Sequence, residues 1–424
     1  MTTTKTLATT WFPSLEDITK ARVNLGSILE PTPLMKSLSL SAQYGATIYL
    51  KREDLQQVRS YKIRGAYHKI SSLPREVLDR GIVCASAGNH AQGVAYSAFK
   101  LKTKARIFMP ETTPKQKVRQ VTMFGKEAIE IILIGDSYDQ AFQAAKETAE
   151  REKLAFIHPF DDMKIIEGQA TVGIEILQQA DCHFDYVFIP IGGGGLASGI
   201  STCFKTLSPN TKLIGLEPEG APSMKRSIEK GEVVKLDEID TFVDGAAVQQ
   251  VGQLTFQICK ELLTDICLVP EGLICTTILK RYNEDALVVE PAGAMSMAAL
   301  ELFKEEIKGK NICCIVSGSN NDITRTEEIK ERSLIYEGLK HYFIVRFPQR
   351  AGALREFVND ILSPGDDITL FEYSKKHNRE KGPALIGIEL QQKENFQKLI
   401  HNFETKGFGY EYLNDKPNLF QYLV

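Results

Sequence analysis

The stretch Ile82-Val83-Cys84-Ala85-Ser86-Ala87-Gly88-Asn89-His90-Ala91-Gln92-Gly93 passes from an uninterrupted apolar run into small polar residues and then into a helical pattern covering 89–100. A short apolar run of this kind reads as a strand covered on both faces. The alternation continues on the C-terminal side. Strand-like runs at 105–109, 129–134, 156–157 and 187–189 alternate with helical segments at 114–124 and 137–153, and further strands follow at 212–216 and 311–316. Strands separated by helices of that length predict parallel βαβ units with helices on both sheet faces.

Three loops in this pattern carry chemistry. Between strand and helix, Ser86-Ala87-Gly88-Asn89-His90 turns small residues and backbone N–H groups toward an anion, a cradle suited to a carboxylate. The bland alternative, a helix cap by Ser86 or Asn89, fits any one residue better than the whole run. Farther on, Gly192-Gly193-Gly194-Gly195 follows the strand 187–191 and opens a helix at Leu196. Glycines let the backbone approach a phosphate, and the helix start supplies unpaired N–H groups. A nucleotide P-loop is excluded because Leu196-Ala197 stands where Lys-Ser/Thr is required. A dinucleotide fingerprint can be traced loosely through Gly192, Gly194 and Ala197, with Glu217 as ribose ligand. The third loop, Ser317-Gly318-Ser319-Asn320-Asn321, follows the strand 312–316.

Upstream lies Ser60-Tyr61-Lys62-Ile63-Arg64-Gly65-Ala66. A solvated lysine has a pKa near ~10.4 and is no nucleophile, whereas apolar neighbours lower that pKa and make Schiff-base chemistry accessible. Most lysines are surface residues. Lys62 stands apart because of the three loops that accompany it.

Together these motifs, in this order, resemble the pyridoxal-phosphate (PLP) enzymes of the tryptophan synthase β fold, and most closely the biosynthetic threonine dehydratases with one regulatory domain. The resemblance covers nearly the whole chain. It implies an α/β catalytic region of PLP fold type II over residues 1–325, in two lobes, the smaller (54–160) inserted in the larger. It further implies a linker at 326–340 and an α+β, ferredoxin-like (ACT-like) domain at 341–424. The chain's own pattern there, strand 342–347, helix 353–361, strands 368–374 and 384–390 joined by a turn at 378–382, helix 394–405 and strand 410–413, reads as βαββαβ.

By position the resemblance assigns Lys62 as Schiff-base lysine and general base. Tyr61, Asn89, Gly192, Gly193, Gly194, Gly195, Leu196 and Ser317 become cofactor-binding residues; Ser86, Gly88, Asn89 and His90 receive the substrate. A neutral hydroxyl at Ser317 cannot hold the pyridine nitrogen protonated as an aspartate would, which favours loss of a β-substituent over transamination. Glu217, the Ala221 carbonyl and Ser223 correspond to a cation site, with a monovalent or divalent ion as occupant; Ser223 suits a monovalent ion better than magnesium, and a solvated carboxylate is the alternative. Glu290 receives only a structural or pocket role. Gly352, Ala353 and Leu354 are the candidate effector residues, for isoleucine or valine at a subunit interface. Three positions depart from the expected pattern: Tyr61 replaces a commoner phenylalanine, Ser319 a glycine, and no proline precedes Gly352.

The totals agree. A chain of 424 residues exceeds one ordinary core, and a net charge of −3 gives no reason to expect nucleic acid or an anionic membrane as partner. Residues 1–17 are threonine-rich and lack the pattern of a secretory leader, no run approaches a membrane span, and the eight cysteines form no CxxC pair. A reduced, cytoplasmic homodimer or homotetramer is the expectation. The implied activity is conversion of L-threonine to 2-oxobutyrate and ammonia by β-elimination, in isoleucine biosynthesis. Serine dehydratase or serine racemase activity is the alternative within the fold. From other classes come a nicotinamide-dependent oxidoreductase and a non-catalytic amino-acid sensor.

Overall fold

The computed structural model describes residues 12–373, 380–416 and 420. Two compact units divide the chain, Met1–Ile323 and Thr324–Val424. In the first, β1 (Leu34–Lys36) and β2 (Thr47–Arg52) precede a separate group of strands: β3 (Ile82–Ala85), β4 (Ala105–Met109), β5 (Ile129–Leu133) and β6 (Ala155–Phe156). The chain then returns through β7 (Tyr186–Pro190), β8 (Lys212–Pro218), β9 (Asp265–Val269) and β10 (Asn311–Val316). One sheet has the order β1-β2-β10-β7-β8-β9, the other β5-β4-β3-β6. All neighbours pair in parallel except β1, which runs against β2. The sheet of β3–β6 is thus inserted between β2 and β7. Helices cover the faces, so β3 and β7 are buried along their whole length.

Glycines set how the helices stack. On the Lys62–Ser71 helix, a Cβ at Gly65 would lie 2.8 Å from the Ile165 carbonyl oxygen; on Met163–Gln179, a Cβ at Gly168 would lie 2.6 Å from the Arg64 carbonyl oxygen. Met163–Gln179 also approaches Gly195–Leu207, where a Cβ at Gly199 would lie 2.6 Å from Ala170 N. A single helix therefore holds both the lysine helix and the glycine-loop helix at backbone contact.

Buried charge reinforces the first contact. Arg64 Nη1 and Nη2 donate to Glu175 at 2.6 and 2.8 Å, its Nε and Nη2 donate to Glu53 at 2.8 Å, and Lys51 Nζ donates to Glu175 at 2.6 Å. Two cations meet two carboxylates, so the cluster is neutral and its hydrogen bonds are met, which is the condition for burying charge. Lys51 also explains why β2 escaped the sequence reading: the pattern expects polar residues outside, and this lysine is fully buried.

The second unit contains β11 (Lys340–Pro348), β12 (Asp367–Tyr373), β13 (Lys381–Glu389) and β14 (Gly409–Tyr412), antiparallel in the order β12-β13-β11-β14. With helices Ala353–Ile361 and Asn395–Thr405 this is the ferredoxin-like arrangement. Phe343, Phe347, Phe357 and Phe403 fill its core. The stretch 326–340, expected as a linker, forms the helix Thr326–Tyr336 and the start of β11, and belongs to this unit. Position 374 of the expected second strand and positions 378 and 379 of the expected turn lie outside the described residues, as do the first eleven of the N-terminal segment.

Candidate active site

Lys62 is the first residue of its helix, and the segment before it is tied to the loop after β10. Ser60 bridges Gly318, Tyr61 N donates to the Ser317 carbonyl at 3.3 Å, and Ser319 N donates to the Arg59 carbonyl at 2.9 Å. The Ser319 hydroxyl adds a bond of 3.1 Å to the Asp54 carbonyl, a use for the side chain where glycine was expected. Lys62 Nζ donates to the Pro159 carbonyl at 3.1 Å and lies 5.5 Å from the Tyr61 ring centre. Burial lowers its pKa to about 8, while the Glu290 carboxylate works the other way.

The loop after β3 meets the same place. Asn89 begins the helix Asn89–Leu101 and donates from Nδ2 to Glu290 Oε1 at 2.7 Å; its Oδ1 is buried without a partner among the described residues. Gly88 N donates to Ser86 Oγ at 3.2 Å. His90 turns inward, with Nε2 2.9 Å from the Ile157 carbonyl, and burial lowers its pKa to about 3. A neutral imidazole donates there, so His90 offers the loop its backbone N–H, not its ring.

Gly192–Gly195 join β7 to the helix Gly195–Leu207, with Gly194 at φ +93°. A Cβ at Gly193 would fall 2.2 Å from the Phe160 ring, and one at Gly195 would lie 3.2 Å from Phe160 Cα. Only bare backbone fits under that ring. The first N–H groups of a helix have no intrahelical partners, so the turn is furnished for an anion. Ser317 is buried at the end of β10. An amine of lowered pKa, an unpartnered amide oxygen and a glycine cradle form a set that fits a phosphorylated aldehyde cofactor.

Glu217 is neither a solvated carboxylate nor available to a ribose. It is buried, accepting from Met224 N at 2.6 Å and Lys225 N at 2.9 Å, and so caps the helix Ser223–Lys230. Burial raises its pKa to about 7 against the pull of those N–H groups. Ala221 and Ser223 lie on the same turn, Ser223 N donating to the Ala221 carbonyl at 3.0 Å. Among the described residues no group of three or more His, Cys, Asp or Glu side chains is placed to hold a metal. In the second unit, Gly352 at φ +86° starts the helix of Ala353, which is buried, and Leu354, which is exposed.

Sequence reasoning passed over Pro159 and Phe160 and gave Glu290 a structural or pocket role only. The Pro159 carbonyl and the Phe160 ring act through position alone, and no residue-type signal marks them. Glu290 carried one faint signal, an acid directly before a proline at a helix start.

Such a site on such a fold defines the class, an α/β enzyme built around pyridoxal phosphate. Residues 27–318 match the family described as pyridoxal-phosphate dependent enzymes, and residues 331–423 match the C-terminal regulatory domain of threonine dehydratase. The biosynthetic L-threonine dehydratase of Halalkalibacterium halodurans is 58% identical over 97% of this chain and 99% of its own. That of Bacillus subtilis is 54% identical over 97% of each chain. The solved processed form of threonine deaminase isoform 2 from Solanum lycopersicum is 41% identical, with a TM-score of 0.72 over 76% of this chain and 90% of its own. The chain belongs to the threonine dehydratases among the pyridoxal-phosphate dependent enzymes. The nicotinamide reading fails with this membership and with the commitment of Glu217 to a helix cap.

Proposed function

We propose that the protein is an L-threonine ammonia-lyase that converts L-threonine to 2-oxobutyrate and ammonia, a step toward isoleucine. The observation that carries the reading is the buried amine of Lys62, lowered to about 8 at a helix start tied to the Ser317 loop. Lys62, Tyr61, Asn89, Gly192, Gly193, Gly194, Gly195, Leu196 and Ser317 would hold pyridoxal phosphate. When bound, that group supplies an electron-withdrawing ring for the charge left at the substrate Cα. The chain does the rest. Backbone N–H groups of Ser86, Gly88, Asn89 and His90 orient the substrate carboxylate. Lys62 Nζ, less basic than a solvated lysine and kept near the Pro159 carbonyl, takes the Cα proton. Ser317 would offer a neutral hydroxyl to the ring nitrogen, which favours loss of the β-hydroxyl over transamination. The proton that turns that hydroxyl into water balances the one Lys62 takes from Cα.

Isoleucine or valine is the proposed effector, its carboxylate received at Gly352, Ala353 and Leu354. Glu217, Ala221 and Ser223 are the proposed oxygen ligands of a monovalent or divalent cation. A cytoplasmic homotetramer or homodimer is the proposed form. Eight free cysteines support a reducing compartment, and no helix among the described residues is long and apolar enough to cross a membrane.

Ketoacid formation from L-threonine tests the reading, with L-serine in parallel and with isoleucine or valine added. Lys62→Ala is expected to lower kcat about a thousandfold or more, as loss of a general base does, and borohydride is expected to fix a pyridoxyl group on Lys62. No bound cofactor and no ketoacid overturns the reading; faster pyruvate formation from L-serine moves it to serine dehydratase.

A further inference from the structure

Glu290 has the geometry of a working part, yet neither helix capping nor ion pairing accounts for it. It stands at the N-cap position of the helix Pro291–Leu302, where a carboxylate ordinarily accepts the helix's own first N–H groups. Here the side chain makes no such bond. It turns away and accepts from Asn89 Nδ2 at 2.7 Å, across 201 residues of sequence, between the segment that joins the helices Glu271–Asp285 and Pro291–Leu302 and the start of the helix Asn89–Leu101. The surroundings are cut to let it do so. A Cβ at Gly318 would lie 2.2 Å from Glu290 Oε1, and one at Gly245 would lie 3.5 Å from it. A Cβ at Gly293 would lie 2.2 Å from the Gly318 carbonyl oxygen, so that wall cannot retreat. Glu290 N donates to that same carbonyl at 3.2 Å. The carboxylate is thus held on several sides by backbone.

What it holds is an ambiguous group. An asparagine amide has a donor end and an acceptor end of nearly equal size, and either can face a ligand. An ionised carboxylate can only accept, so above its pKa of about 7 Glu290 selects Nδ2. We propose that Glu290 is a positioning residue that fixes the orientation of the Asn89 amide, and thereby decides which hydrogen-bonding atoms Asn89 presents to the bound cofactor. The charged groups that face it are Lys62, Asp244 and Lys117; burial, and then Asp244, raises its pKa to about 7, against the pull of the Asn89 amide, Lys117 and the Asn320 backbone N–H. The inference rests on pyridoxal phosphate being the cofactor.

A double-mutant cycle on cofactor binding tests it, read by the dissociation constant and by the visible spectrum of the bound cofactor. Asn89→Ala and Glu290→Ala are each expected to weaken binding about tenfold, and the double variant about tenfold too, because Glu290 acts only through Asn89. The spectra of the two single variants should match each other and differ from the parent. Glu290→Gln can accept in one orientation and donate in the other, so it should fall between. If Glu290→Ala does not fold, the same cycle run with Glu290→Gln gives the answer. Losses that multiply to about a hundredfold in the double variant, or a Glu290 variant that binds and absorbs like the parent, overturn the proposal. A parent protein that binds no pyridoxal phosphate overturns the cofactor reading instead.

Discussion

His90 and Lys62 show how burial sets single residues. Buried as a neutral ring, His90 has its pKa lowered from 6.5 to about 3. Between those values the unfolded chain binds a proton that the folded chain refuses. Its contribution to stability is therefore complete above pH 6.5 and is lost as pH falls toward about 3, by up to about 5 kcal/mol. Glu217 and Glu290, raised from 4.5 to about 7, have the opposite sign: their contribution is complete below 4.5 and declines as pH rises through 7. A comparison of variants isolates one group from the others. His90→Gln, which keeps a donor for the Ile157 carbonyl, should show a shallower fall of unfolding free energy between pH 6 and about 4, measured by denaturant titration at each pH. An equal slope would mean that His90 is already charged in the folded state. Lys62 became a candidate in the sequence through the three loops that accompany it, since its flanking tyrosine and isoleucine are a weak signal alone. The bond of Glu290 was not legible there, since its partner lies 201 residues away and nothing near Glu290 announces Asn89.

Elements were legible where burial is uniform and obscure where charge is buried. The runs that became β3, β4 and β10 read directly as strands because both faces are covered. β2 and β9 did not, since β2 carries Lys51 into the core and β9 is an edge strand with Asp265 exposed. The glycine contacts between helices were likewise invisible, because a lone glycine in a helix reads as a weak point until its opposite number is known. Gly168 is the most exacting. A Cβ there would lie 2.6 Å from both the Arg64 carbonyl oxygen and the Gly65 Cα, and backbone cannot rotate aside. Gly168→Ala should therefore destabilise the protein by about 1–3 kcal/mol, despite alanine's better helix propensity. It should also loosen cofactor retention, since Lys62 rides on the displaced helix. Thermal denaturation with and without pyridoxal phosphate reads both effects; a variant as stable as the parent would show that the two helices part without cost.

Division of labour is the property of the whole molecule. Every residue proposed for the cofactor and substrate, from Tyr61 to Ser317, lies in Met1–Ile323, and the proposed effector residues lie in Thr324–Val424. Each unit has its own sheets and its own apolar core. The chemistry should therefore outlast removal of the second unit, while the response to a branched-chain amino acid should not. In the full chain, isoleucine or valine is expected to change the apparent affinity for L-threonine about fivefold or more, the usual scale of coupling between distinct sites. Reciprocity of binding then requires a non-reacting analogue of L-threonine to change the effector's affinity by the same factor as the effector changes the analogue's, which calorimetry on the full chain can measure. A chain ending at Ile323 should still form 2-oxobutyrate, with kinetics unmoved by either amino acid. If the shortened chain still responded, the effector would have to act on the first unit, and Gly352, Ala353 and Leu354 would lose their proposed role. If the shortened chain folded and bound cofactor but formed no ketoacid, the second unit would be part of the catalytic machinery and not a regulator of it.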